Sequence, residues 1–131
     1  MGMPLAYVSL FAKDLERLGD FYVEAFGLTE NEAMRTPIFR SIELGNGSAI
    51  ALHGAEAYDL VGLGDHASPS GVAAMLTFDP GSADAVDAEV DRLVALGATL
   101  VKGPFVTVYD ARQAVFFDPD GHVFRLSHYM S

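Results

Sequence analysis

Residues 116–124 read Phe116-Phe117-Asp118-Pro119-Asp120-Gly121-His122-Val123-Phe124, and this stretch decides the fold. Asp-Pro-Asp-Gly is turn chemistry: proline presets one backbone angle, aspartate side chains satisfy nearby N–H groups, and glycine accepts the left-handed conformation that closes the bend. Apolar, β-favouring residues flank it, Gln113 to Phe117 before and Val123 to His128 after, so it joins two antiparallel strands. A second glycine turn, Gly45-Asn46-Gly47, stands between Phe39–Leu44 and Ser48–His53 and reads as a two-residue hairpin loop.

Working outward, each hairpin closes a longer run of the same order. Before the first come a strand over Leu5–Phe11 and a helix capped by Asp14, with Leu15, Leu18, Tyr22, Ala25 and Phe26 as its apolar stripe. Gly27 stops that helix, and two strands follow, Leu28–Met34 and Phe39–Leu44, around Thr36-Pro37. Before the second come a strand over Val72–Phe78 and a helix capped by Ser82, with Asp84 in its first turn and Val86, Val90, Leu93 and Val94 as its stripe. Gly97 stops it, and Thr99–Lys102 forms a strand that breaks at Gly103-Pro104. Gly27 and Gly97 lie 70 residues apart (97 − 27) and Gly47 and Gly121 lie 74 apart (121 − 47), a two-fold internal repeat with small loop differences. The expected fold class is therefore α+β: one domain, 1–131, of two βαβββ modules at about 4–53 and about 71–131. The connector, about 54–70, has scattered Gly, Pro and acidic residues without periodicity and is long enough to raise the question of a lid. Two such half-barrel sheets are expected to curve around a shared cup, lined by one face of each first and last strand.

Composition narrows the function. With 18 acidic against 8 basic residues the net charge is −10, which repels nucleic acid and leaves solubility, or a preference for cations, as its meaning. The chain has no cysteine, so disulfides, thiolate metal sites and a cysteine nucleophile are all excluded. No signal sequence and no apolar run of about 20 residues occurs, and a soluble cytoplasmic protein without a membrane role is expected. Asn46-Gly47-Ser48 reads as a turn, not a glycosylation acceptor. There is no Gly-x-Ser-x-Gly elbow, phosphate-binding glycine loop or dinucleotide fingerprint.

Three pieces in order, Tyr7-Val8-Ser9-Leu10 leading to Asp14-Leu15-Glu16-Arg17, then Phe21-Tyr22 through Phe26-Gly27-Leu28, then Phe116 to Phe124, resemble the vicinal oxygen chelate superfamily of glyoxalase I, bleomycin resistance proteins and extradiol dioxygenases. The resemblance covers nearly the whole chain and implies paired βαβββ modules in a homodimer. It also implies a divalent metal held by His, Gln or Glu from the first and last strand of each module. Here those positions fall on Tyr7, Ala51, about Ala73, and Arg125. Alanine has no donor atom and arginine brings a fixed positive charge, so the family metal site is expected to be lost and no cofactor is expected. A divalent metal on remodelled ligands remains the alternative.

The same strand faces supply the candidate ligand-binding residues: Tyr7, Ser9, His53, Tyr109 and Arg125. His53 lies two residues after Ala51 and shares its face; it is either a substitute donor or a locally bonded strand-end residue. Arg125 either grips an oxygen-rich ligand or forms an internal ion pair with Glu43, Asp110 or another acid. Tyr7 and Tyr109 offer hydroxyls and aromatic walls, or simply pack. Arg112 precedes the seventh strand where relatives often carry Gly-Gly-Arg; here Asp110-Ala111 stands before it, and a role for it does not carry over. Three functions are weighed: a metal-free binding protein of the bleomycin resistance type taking a small organic ligand in the cavity, a lyase, isomerase or dioxygenase with a remodelled metal or an Arg125-centred site, and a non-catalytic interaction subunit.

Overall fold

Each half of the chain folds into one four-stranded mixed sheet with a helix against one face. The computed structural model describes residues 2, 5–67, 72 and 74–130, and divides into two compact units, Met1–Ser70 and Gly71–Ser131. Among the described residues no helix is long and apolar enough to cross a membrane.

In the first unit the elements are β1 (Tyr7–Phe11), α1 (Leu15–Phe26), β2 (Thr29–Glu30), β3 (Phe39–Glu43) and β4 (Ala49–His53), with sheet order β1-β4-β3-β2. The Asp14 side chain accepts from Arg17 N at 3.1 Å, capping α1 as expected, and Gly27 ends it at φ 62°. Leu18, Phe21, Tyr22 and Ala25 are buried on the side of Ile42, Ile50 and Leu52, each large side chain contributing about 1.5–3 kcal/mol by leaving water. Arg40 shares this helix-facing side and is only 3 % exposed. Its guanidinium donates to Glu30 Oε1 at 2.6 Å, Asp20 Oδ1 at 3.0 Å and the Glu16 carbonyl at 2.8 Å, which satisfies a charge that burial would otherwise penalise heavily.

Three expectations for this unit change. The second strand is two residues long rather than Leu28–Met34, because Met34 N donates to Asn31 O and Arg35 N to Glu32 O, winding Glu32–Met34 into a 3-10 turn. The glycine hairpin has a three-residue loop: Leu44 N donates to Ser48 O, positive φ falls on Gly45 and Gly47, and the Asn46 side chain instead accepts from Ser48 N and Oγ. The connector holds a short helix, α2 (Ala57–Leu60), and a 3-10 turn (Gly64–His66).

In the second unit the elements are β5 (Met75–Phe78), α3 (Ala83–Ala95), β6 (Thr99–Val106), β7 (Ala111–Phe117) and β8 (Val123–Tyr129), and the order β5-β8-β7-β6 repeats that of the first sheet. Register makes the repeat explicit: Tyr7 stands opposite Ala49 in one parallel pair and Met75 opposite Val123 in the other. Ser82 caps α3 by accepting from Ala85 N at 3.0 Å. Val86 and Leu93 are buried on the side of Phe116 and Phe124, whose rings stack at 5.0 Å, whereas Val94 lies past the edge of the stripe and is 44 % exposed. β6 does not break at Gly103-Pro104 but runs through it, absorbing the irregularity in two register shifts against β7. Gly103 is required there: its φ is 109° and a Cβ would stand 2.7 Å from the Gln113 carbonyl. The deciding turn is held by Asp118 Oδ1, which accepts from Asp120 N at 2.9 Å and His122 N at 3.0 Å.

Candidate functional site

Because α3 covers the Phe116 and Phe124 face of the second sheet, strand alternation sends Arg125, Ser127, Gln113 and Thr77 to the opposite face. There they form one hydrogen-bonded network. Arg125 Nε donates to Thr77 Oγ1 at 2.9 Å, and Nη1 reaches Gln113 Oε1 at 3.4 Å. With its oxygen turned to the guanidinium, the Gln113 amide donates to Tyr109 Oη at 2.9 Å and Ser127 Oγ at 3.0 Å. Gln113 is 3 % exposed and Ser127 9 %, so this network is fixed in place, and among the described residues no buried side-chain N or O lacks a partner.

The chemistry of this face is one-sided. Both hydroxyls accept from Gln113, which leaves each its own hydrogen to donate. The Gln113 N–H, and behind it the Arg125 charge, hold the Tyr109 hydroxyl below its usual pKa of 10, making it a better donor. Thr77, Gln113 and the Tyr109 hydroxyl engage part of the guanidinium's five N–H groups, and all three are neutral. Among the described residues of the second unit no carboxylate pairs with Arg125, and Asp110 is not its partner. A cation backed only by neutral groups, and flanked by hydroxyl donors, suits an oxyanion.

The corresponding face of the first sheet is aromatic around His53 and carries one acid, Glu43, exposed at the end of β3. His53 Nε2 lies 3.1 Å from Ser9 Oγ, and its ring sits 5.5 Å from Phe11 and 5.2 Å from Phe39. Tyr58 of α2 stacks on Phe11 at 4.1 Å. Burial pushes the His53 pKa below its usual 6.5, so the imidazole is neutral at pH 7. Ala51 lies between Ser9 and Ser41 in register, while Tyr7 is 55 % exposed at the start of the edge strand.

Residues 5–126 match the family model described as the Glyoxalase/Bleomycin resistance protein/Dioxygenase superfamily. The chain belongs to this superfamily. Among solved structures it is similar to a glyoxalase/bleomycin resistance protein/dioxygenase family enzyme from Burkholderia phytofirmans, with 40% identity, a TM-score of 0.89, and coverage of 93% of this chain and 95% of that one. A glyoxalase/bleomycin resistance protein/dioxygenase from Nocardioides is 25% identical with a TM-score of 0.80, covering 100% and 87%. The genomically encoded fosfomycin resistance protein of Listeria monocytogenes shares the fold at 20% identity, with a TM-score of 0.73 over 97% and 93%. Among curated proteins none matches the sequence.

Two of the positions that the resemblance assigns to metal ligands carry residues that do not suit a divalent ion: Ala51 has no donor atom, and Arg125 is a guanidinium held by Thr77 and Gln113. Ala73 lies outside the described residues; the residue in the register position of Tyr7 is Met75. No group of three or more His, Cys, Asp or Glu side chains able to hold a metal occurs among the described residues.

Of the residues singled out by sequence, the structure brings Ser9 together with His53 and Tyr109 together with Arg125. Tyr7 shares the strand face of Ser9 and has no side-chain hydrogen bond within the first unit's described set. Gln113, Thr77, Phe11, Phe39 and Tyr58 are additions. A glutamine beside the otherwise apolar run Ala114–Phe117 is a visible signal, but its link to Arg125 depends on the β7–β8 register, which no local pattern fixes. Arg112 faces α3 and pairs with Asp87 through two bonds of 2.8 and 2.9 Å, a structural role.

Proposed function

We propose that this chain binds a small organic anion, a carboxylate, through Arg125, with Tyr109 and Ser127 as hydroxyl donors and without the superfamily's divalent metal. The observation that carries this reading is the neutrality of the Arg125 partners. In a chain of net charge −10, a part-buried guanidinium with no carboxylate partner among the described residues of its unit is matched to a charge from outside. A thermal-shift screen of small carboxylates against the wild type and Arg125→Ala tests it, since a ligand that binds only the folded state raises Tm. Carboxylates are expected to raise Tm in the wild type alone; equal shifts in both proteins would overturn the reading.

The homodimer belongs to the same proposal. β1 and β5 are edge strands that leave Tyr7 and Met75 exposed, surfaces a second copy would cover, and light scattering of the purified protein measures the mass directly. A second reading, a lyase or isomerase step centred on Arg125, is favoured by one observation, the lowered pKa of Tyr109. In it Tyr109, as the phenolate, takes the α-proton of a carboxylate held by Arg125, the C–H electron pair passing into an enolate beside the guanidinium, and the Tyr109 hydroxyl so formed returns a proton to that carbon. Exchange of α-hydrogens of a bound carboxylate with deuterated water, lost in Tyr109→Phe, would support it; no exchange in the wild type would refute it.

A further inference from the structure

The strands of the second sheet contain no Asp or Glu, although the chain has 18 such residues. Of their cations, Arg112 faces α3 and pairs with Asp87, and Lys102 stands on the Arg125 face. Lys102 of β6 is the register partner of Val115, and Val115 is the register partner of Arg125, so the three stand in one cross-strand row on the same face. The Lys102 ammonium leans over the Phe105 ring, 4.2 Å from its centroid, and Phe105 is the register partner of Gln113. Among the described residues Lys102 has no carboxylate partner, whereas Arg35, Arg92 and Arg112 each have one and Arg40 has two.

We propose that this face recognises a dicarboxylate, with one carboxylate on Arg125, the other on Lys102, and the hydrocarbon between them lying over Val115. The inference rests on the Arg125 reading above and adds the second anchor. Two strand spacings separate the anchors, about 10 Å between Cα positions, and both side chains are long enough to lean inward, so the spacing suits a short linear diacid. An apolar centre between two cations also discriminates: a monocarboxylate leaves Lys102 unpaired, and a hydroxylated linker leaves polar groups facing Val115.

Calorimetric titration of the full chain with butyrate, glutarate and adipate at one ionic strength tests this. The better diacid is expected to bind about fivefold more tightly than butyrate, the upper end for a partly exposed ion pair. In Lys102→Met, which keeps the aliphatic stem over Phe105, that ratio is expected to fall to near one, and in Lys102→Arg to return. Equal affinities for mono- and dicarboxylates in the wild type, or a diacid preference that survives Lys102→Met, would overturn the second anchor and leave the Arg125 reading standing. No binding of any carboxylate would overturn both.

Discussion

Replacing Gly19 by alanine sets local propensity against tertiary structure. In an isolated helix the change stabilises by about 1 kcal/mol, because glycine carries the larger entropy loss. In this protein Gly19 is a buried α1 residue, and a Cβ there would stand 2.5 Å from Arg40 Nε and nearer still to the guanidinium carbon. A guanidinium at the end of a long side chain ordinarily moves aside at little cost. Here it is 3 % exposed and tied to Glu30, Asp20 and the Glu16 carbonyl, and Glu30 itself is only 8 % exposed. Displacing Arg40 forfeits at least one charge-assisted bond, about 1.5–3 kcal/mol each, and leaves part of a buried ion pair unmatched. The net expectation for Gly19→Ala is a loss of about 2 kcal/mol, a fall in Tm of roughly 6–8 °C for a domain of this size. Urea denaturation followed by circular dichroism measures it. A variant as stable as the wild type, or more stable, would refute the placement of Arg40 beneath the helix.

Other perturbations have defined signs. His53 has a folded-state pKa below its unfolded 6.5, so its neutral form contributes stability that is full above pH 6.5 and is lost as pH falls through the folded pKa. NMR titration should place its midpoint below 6.5, and His53→Phe should flatten the pH dependence of stability in that window. Gly103→Ala should cost about 1–3 kcal/mol, because φ 109° and the nearby Gln113 carbonyl both oppose a Cβ; chemical denaturation reads it. Gln113→Leu should weaken carboxylate binding several-fold while Arg125 remains, since it removes the amide that orients Arg125, Tyr109 and Ser127; calorimetry at constant pH measures the change.

Where one residue governs local geometry, its consequence is legible in the sequence alone. Asp14, Gly27 and Ser82 set helix ends through backbone bonds to near neighbours, and Asp118 and Gly121 set the last turn in the same way. Strand propensity over Leu28–Met34 says nothing about Asn31–Arg35 closing its own turns, and the breaker pair Gly103-Pro104 does not reveal that a bulge carries the strand through it. The site divides along the same line. Alternation along one strand suffices to set Ser127 on the face of Arg125, Ser9 on that of Tyr7 and His53 on that of Ala51. Gln113, Thr77 and Lys102 enter only through pairing between strands distant in sequence, and the aromatic surround of His53 needs α2, a helix with no periodic signal at four residues. The ion pair of Arg40 with Glu30 is invisible to local pattern for the same reason.

Carboxylate binding without a metal is tested most directly by the affinity of a carboxylate for the wild type and for Arg125→Gln, each measured after exhaustive chelation of divalent metals. Binding by the wild type should survive chelation unchanged and fall at least about tenfold in Arg125→Gln, the loss of a charge-assisted anchor. Binding that disappears with chelator and persists in Arg125→Gln would contradict that prediction and return the site to metal chemistry.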